Sequence, residues 1–475
     1  MSERRIHFVS LGCPKNRVDS EVMLGVAQKA GYRHTRDPSE AEVIVVNTCG
    51  FIDPAKKESI DTILEMADFK EAGRCSRLVV AGCLSQRHPD EMASGLPEVD
   101  HFLGSSDMLK LGDVLSGEAE RMLVGNPADW VVGADTPRQL SSSPGSAYVK
   151  IAEGCNRSCS FCVIPDLRGK QRSRHPDDVV REVEQLVARG VREVNLVSQD
   201  TVAYGRDLDG RVRLADVVER VAEVDGLRWL RLFYLYPEKL EDRLIDLLGQ
   251  HPTVLPYVDM PLQHAADGML RRMKRGHGGE RLRKVVSRLR EAVDGLTFRT
   301  AFIVGHPGET DAEFEELLEF VEWASFDRVG VFRYSDEESA ASHALDGKVP
   351  DDVAAARYEQ LMEMSRRIAR ENNERLVGQT LEVLVEGVSD EHELVLMGRH
   401  RGQAPEIDGQ VYLSGTEMLE APLEAGQMVE VAITQSSDYD LAGEVLRAVH
   451  AAPSDDVGTR RISLRVLSSD NRSLS

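Results

Sequence analysis

Over its first 135 residues the chain alternates short apolar, β-branched runs with longer stretches of helical period. Ile6 to Leu11, Val43 to Asn47 and Leu78 to Gly82 read as strands, with Asp19 to Ala30 and Pro54 to Ala67 as helices between them. That alternation predicts an α/β domain over residues 1–135, built on a parallel sheet. Residues 136–146, Thr-Pro-Arg-Gln-Leu-Ser-Ser-Ser-Pro-Gly-Ser, have linker composition. Residues 147–375 carry six further strand-like runs: Ala147 to Glu153, Glu193 to Ser198, Trp229 to Leu235, Leu255 to Met260, Phe298 to Val304 and Arg328 to Tyr334. Helical patterns lie between most of them. One helix is expected to open at His175-Pro176-Asp177-Asp178, and another behind Thr310 as its N-cap. Six β/α units predict a partial, open barrel. A long helical stretch, Asp352 to Val377, leads into residues of different character. There Leu381 to Glu386, Leu394 to Met397, Gln410 to Leu413 and Met428 to Thr434 alternate with glycine and aspartate turns, predicting a small β-barrel of the oligonucleotide-binding sort over residues 376–447. The tail, 448–475, is expected to be mostly disordered, with Ile462 to Leu467 as a short sticky segment.

Composition narrows the class. With 41% hydrophobic and 29% charged residues among 475, the chain can bury large cores. The apolar stretch near the N-terminus is too short to span a membrane and precedes no small-residue cleavage site, so a cytoplasmic protein without membrane attachment is expected. A formal charge of −22 opposes a large phosphate-binding footprint and favours a basic protein partner.

The chemistry lies in the cysteines. Cys155, Cys159 and Cys162, in Glu-Gly-Cys-Asn-Arg-Ser-Cys-Ser-Phe-Cys, have a spacing that holds an iron-sulfur cluster by three thiolates. Three ligands on a four-iron cube leave one iron free to bind a small molecule, which suggests catalysis rather than electron storage. No fourth ligand stands nearby to complete a zinc knuckle, and seven cysteines in a large chain without a secretory signal argue against disulfides. A second set follows from topology: Cys13, Cys49 and Cys83 each come directly after one of the first three strands. Parallel strands end on one edge, where open α/β sheets build their sites, so these three should converge. The alternative is that each merely caps a buried strand. Cys75 precedes its strand and is expected to be structural.

In the central segment, Gln199 and Asp200 follow the second strand, Gln263 and His264 the fourth, and Gly305-His306-Pro307-Gly308-Glu309 the fifth. Carboxyl ends of barrel strands carry site residues, and Gly305 would let a nucleoside approach the backbone closely. Plain turn-making is the competing reading for all of them. The basic run Arg168, Lys170, Arg172 and Arg174 reads first as a solvated face, with carboxylate or phosphate anchoring as its alternative.

Taken together, Ser10-Leu-Gly-Cys13-Pro-Lys-Asn16, Asn47-Thr-Cys49-Gly-Phe-Ile52, Ala81-Gly-Cys83, Ala147-Tyr-Val-Lys-Ile-Ala-Glu-Gly-Cys155 and Leu167-Arg-Gly-Lys-Gln-Arg-Ser-Arg174 resemble the methylthiotransferase family of radical S-adenosylmethionine enzymes. The resemblance implies an auxiliary 4Fe-4S cluster on Cys13, Cys49 and Cys83, and a second on Cys155, Cys159 and Cys162. It also implies S-adenosylmethionine, for which Gln199, Asp200, Gln263, Gly305 and Glu309 are candidates by their place at strand ends alone, a C-terminal TRAM domain, and a flavodoxin or ferredoxin as electron donor. Members of the family insert a methylthio group at an unactivated carbon, either of a tRNA adenosine or of the β-carbon of an aspartate in a small-subunit ribosomal protein. Between Leu376 and Arg447 stand fourteen acids but only Arg399, Arg401 and Arg447 as strong bases. So acidic a third domain would repel tRNA and attract a basic ribosomal protein. The ribosomal-protein branch is therefore expected, with direct tRNA binding unlikely.

Overall fold

A computed structural model describes residues 4–389, 395–416, 419, 421–450 and 464–467. In the N-terminal unit the strands Arg5–Leu11, Val43–Thr48 and Arg77–Gly82 pair in parallel and are buried on both faces, hence their unbroken apolar runs. Arg33–His34 extends the sheet beside Arg5–Leu11, and His101–Leu103 and Met122–Leu123 extend it at the other side. These additions are two or three residues long, too short to write a period into the sequence.

The first helix runs Pro14–Lys29, starting five residues earlier than its apolar period indicates. Its first two turns bury Lys15, Asn16, Arg17, Asp19, Ser20 and Glu21, so polar residues occupy the inward face. Only Pro14 at the first helical position signals the true start. Residues 136–146 also depart from expectation, for they are a packed connector rather than a solvated linker. Gln139, Leu140, Ser141 and Ser142 are buried, and Glu21 of the first helix accepts from Ser141 N–H and Oγ at 2.8 Å each. Arg138 joins Glu21 and Glu182, both at 2.6 Å. Ser141 satisfies the buried Glu21 carboxylate, Ser142 donates to Ser146 O at 2.6 Å and Ser143 to Glu386 at 2.8 Å.

The central strands Ser146–Lys150, Glu193–Val197, Trp229–Leu232, Val254–Asp259, Thr297–Val304 and Arg328–Arg333 form one parallel, open sheet in chain order. Thr310 caps the helix Asp311–Ala324 in a reciprocal box with Glu313. A separate apolar cluster joins Tyr148, Val197, Phe233 and Tyr257 of this sheet to Val18 of the first helix and to Leu384, Ala404 and Met428 of the third domain. The half barrel is thus filled by its neighbours.

The third domain is a closed barrel of Thr380–Val388, Leu396–His400, Val411–Ser414, Leu441–His450 and Met428–Ser436. Its fifth strand, Leu441–His450, lay beyond the four read from the sequence. Arg465–Leu467 of the tail pairs in parallel with Arg5–Leu11, and Leu464 is buried in the N-terminal core, so this part of the tail is an ordered strand. Residues 451–463 and 468–475, to which the expectation of disorder also applied, lie outside the described residues. Among the described residues no helix is long and apolar enough to cross a membrane.

Candidate active site

Cys13, Cys49 and Cys83 come together at the carboxyl edge of the N-terminal sheet. Cys13 is the N-cap of Pro14–Lys29 and Cys83 opens the helix Cys83–Arg87. Gly12, with φ of +84°, lies so close to Cys49 that a Cβ there would come within 2.9 Å of its Cβ and 3.2 Å of its Sγ. Only glycine takes that conformation and that approach together. Gly50 in turn lies against the backbone of Cys83 and Leu84. Asn16 ties the three loops, its Nδ2 donating to Leu11 O at 3.1 Å and Thr48 O at 2.9 Å.

Cys155, Cys159 and Cys162 lie on the loop after the first barrel strand. Ser160 holds that loop: its Oγ donates to Arg272 O at 2.8 Å, its N–H to Met273 O, and its carbonyl accepts from Ser342 N. Phe161 packs on Ala266, Met269, Met273 and Ile303. Burial, with the like charges of Cys159 and Cys155 adding to it, pushes the Cys162 thiol up to about 12.

The two cysteine sets are joined by Val163 to Arg168, the residues that follow Cys162. Val163 and Leu167 pack with Cys83. Arg168, 2% exposed, reaches from the barrel into the N-terminal unit, where it donates to Cys83 Sγ at 3.2 Å, to Asp19 at 2.8 Å and to Asn16 Oδ1. Lys150 pairs with both Asp19 and Glu153. Arg168 and Arg174 are therefore buried ion-pair partners and not a solvated face, Arg174 meeting Asp178 at 2.7 Å and Glu182 at 2.5 Å. Arg172 is half-buried and bonds backbone carbonyls, while Lys170 stays exposed.

Across the interface Glu337, buried, accepts from Lys56 at 2.7 Å and pairs with Arg87 at 2.7 Å. This clamp uses the Tyr334-Ser-Asp-Glu-Glu338 segment to fasten the barrel to the N-terminal unit on the cysteine side.

The donor sets suit iron and sulfide. Thiolates are the usual ligands of iron-sulfur clusters, and N–H donors to the sulfurs tune them. Such donors reach Cys83 from Arg168, Cys155 from Arg157 N at 3.4 Å, Cys159 from Arg275 Nη1 at 3.5 Å, and Cys162 from the Ile164 backbone. Among the described residues no three His, Cys, Asp or Glu side chains close around a single ion. A four-iron cube is wider than an ion and takes its thiolates at separate corners. Tyr236 stands beside Cys159 with guanidiniums of Arg157 and Arg275 on its ring, 3.2 and 3.9 Å from the centroid. None of Arg157, Tyr236 and Arg275 was singled out from the sequence; Arg157 alone had a signal, its place inside the cysteine loop.

The other predicted residues divide in two. Gln199 donates to Glu153 and Asp200 accepts from Arg157 Nε at 2.6 Å, yet Gln199 Oε1 and Asp200 Oδ1 are buried without a partner among the described residues. Orphaned acceptors beside the cysteine loop are what a ligand bearing hydroxyl or ammonium donors would satisfy. Gln263 holds a positive φ of 74° and bridges by its backbone to the neighbouring strand. Gly305 and Glu309, by contrast, are engaged with each other, Gly305 N–H donating to the Glu309 carboxylate at 2.6 Å. That carboxylate also accepts from Arg357 at 2.7 Å and meets His264 Nε2 at 3.1 Å. Because His264 Nδ1 accepts from Ala266 N–H, its Nε2 carries the proton and donates. His264, Gly305 and Glu309 therefore hold one another in a buried hydrogen-bonded group with Arg357.

Three family models match the chain: an uncharacterized protein family, UPF0004, over residues 5–104, the radical SAM superfamily over 149–321, and the TRAM domain over 377–446. Along its whole length the chain is similar to the ribosomal protein uS12 methylthiotransferase RimO of Sorangium cellulosum, 68% identical with 99% of each chain covered. It is similar also to the protein of that name from Myxococcus xanthus, 50% identical over 93% of this chain and 92% of the relative. Among solved structures it resembles in fold the radical S-adenosylmethionine methyltransferase TsrM of Kitasatospora setae, with cobalamin and a [4Fe-4S] cluster bound. The TM-score is 0.51, at 14% identity, covering 70% of this chain and 72% of that one.

Proposed function

This chain belongs to the radical S-adenosylmethionine methylthiotransferases of the uS12 type, and from that premise we propose that it adds a methylthio group to the β-carbon of an aspartate in ribosomal protein uS12. When bound, two 4Fe-4S clusters and S-adenosylmethionine supply one-electron reduction, hydrogen abstraction, a methyl group and sulfur. The protein's part is to hold, orient and shield. Cys155, Cys159 and Cys162 would hold one cluster, and Cys13, Cys49 and Cys83 the auxiliary one. Gln199 and Asp200 would accept from donors of S-adenosylmethionine through Oε1 and Oδ1, and Gln263 would border the same ligand. Gly305 and Glu309, engaged with each other, would keep the turn after Thr297–Val304 in shape.

The observation that carries the reading is Arg168, which binds Cys83 while standing six residues after Cys162. Transfer of sulfur to a carbon activated elsewhere requires the two sets to share one space, and Arg168 fixes their register. Reduction by a flavodoxin- or ferredoxin-type donor and a place in the cytoplasm complete the reading. The test is mass spectrometry of uS12 from cells lacking the gene. Unmodified aspartate is expected there. An unchanged methylthio-aspartate, or loss instead of methylthio-adenosine from tRNA, would overturn the substrate.

A further inference from the structure

Lys15 differs from the ion-paired cations at the seam between the two cysteine sets; Arg275, also buried and without an ion pair among the described residues, spends its donors on Cys159 Sγ and Pro261 O. Arg168 is paired with Asp19, Lys150 with Asp19 and Glu153, Arg157 with Asp200 and Glu238, and Arg299 with Asp259. Lys15 is 8% exposed, and among the described residues it forms no ion pair. Its ammonium rests on the ring of Tyr234, 3.2 Å from the centroid. Tyr234 follows Trp229–Leu232 at the carboxyl end of that strand and holds a positive φ of 57°. Of the anionic groups that act on Lys15 the Cys13 sulfur comes first, and the carboxylates in electrostatic range, Glu153 and Asp259, are engaged elsewhere. Glu153 serves Lys150 and Gln199; Asp259 serves Arg299 at 2.7 Å and the Tyr234 N–H at 3.0 Å.

A cation withdrawn from water is costly unless an anion meets it, and a tyrosine face compensates only in part. Lys15 is two residues after Cys13, on the first turn of a helix that packs into the barrel. Its charge is therefore presented where the auxiliary cysteines face the barrel mouth. We infer that Lys15 anchors the carboxylate of the substrate aspartate, an inference that rests on the proposed function. The carbon that receives sulfur is bonded directly to that carboxylate, so pinning the carboxylate fixes the reacting carbon to within one bond. An asparagine amide or an adenine base offers the ammonium no such charge, which makes Lys15 a specificity-determining residue as well.

The test is a binding cycle on cluster-loaded enzyme with S-adenosylmethionine, under anaerobic conditions and at matched iron content. Wild type, Lys15→Met and Lys15→Arg are titrated with a uS12 peptide carrying the target aspartate, and with the same peptide carrying asparagine. Wild type should prefer aspartate by about 30-fold, the lower range for a desolvated charge pair. Lys15→Met should bind both peptides alike, and Lys15→Arg should keep most of the preference. A Lys15→Met enzyme that still prefers aspartate, or whose loss is equal for both peptides, overturns the inference; a shift only in cluster reduction potential would do the same, making Lys15 a counter-charge for the thiolates. Wild type that modifies neither peptide overturns the substrate reading together with the inference. Wild type that modifies aspartate while Lys15→Met keeps its preference overturns the inference alone.

Discussion

Single residues at this site are mostly buried charges whose partners come from another domain. Arg168 is the plainest case. Replacing it with methionine keeps the stem but leaves Asp19 with Lys150 alone and removes the donor from Cys83. Breaking a buried pair costs about 3–5 kcal/mol, and the retained lysine favours the lower figure of about 3 kcal/mol. Urea unfolding of the cluster-free protein measures this. Gln199→Leu removes an orphaned acceptor, and a single hydrogen bond should weaken S-adenosylmethionine binding roughly 3- to 10-fold, read by equilibrium dialysis.

Glu193 sets a pH dependence. Burial alone would raise its carboxyl, but the guanidiniums of Arg399, at 2.6 Å, and Arg231, at 3.0 Å, outweigh burial and hold it below the usual glutamate range. The folded state thus favours the ionised form. Its stabilisation is complete above the unfolded value of about 4.3 and fades as pH falls below it. The urea midpoint should drop steeply on acidification in wild type, and Glu193→Gln, less stable at neutral pH, should show a shallower drop. Equal slopes would contradict this origin.

At the scale of elements, legibility followed apolar period. The six barrel strands and the helix capped by Thr310 were readable because one side of each packs in a continuous apolar core. Cys13, Cys49 and Cys83 were readable as a convergent set because parallel strands must end on one edge. What escaped was polar and long-range. The true start of Pro14–Lys29 is hidden by a buried polar face, and residues 136–146 bury Ser141 on Glu21. The arginines after the cysteine loop have no local periodicity to distinguish a domain-spanning ion pair from a solvated run. Lys15 likewise stands in a motif already noticed, yet nothing local tells that its ammonium has no carboxylate.

For the whole molecule, the third domain's acidity has a different destination from the one its composition suggests. Glu386 pairs with Arg399 and accepts from Ser143; Glu406 pairs with Arg17; Asp408 accepts from Tyr257 at 2.8 Å; Asp438 pairs with Arg370 at 2.6 Å. Several of the acids counted as a partner-attracting surface are mortar between domains. The substrate reading therefore leans less on the charge of this barrel and more on the relatives along the full chain and on the seam where the cysteine sets meet. Glu337 with Lys56 and Arg87 clamps that seam from one side, and Arg168 crosses it.

The proposed function, in which the Cys13, Cys49 and Cys83 cluster alone provides sulfur, makes a sharp demand on a single variant. Cys13→Ala, Cys49→Ala and Cys83→Ala, combined in one protein and reconstituted anaerobically, should leave one cluster and cleavage of S-adenosylmethionine intact while methylthio transfer to uS12 falls to background. Transfer at the wild-type rate by that protein would contradict the shared site on which everything above depends.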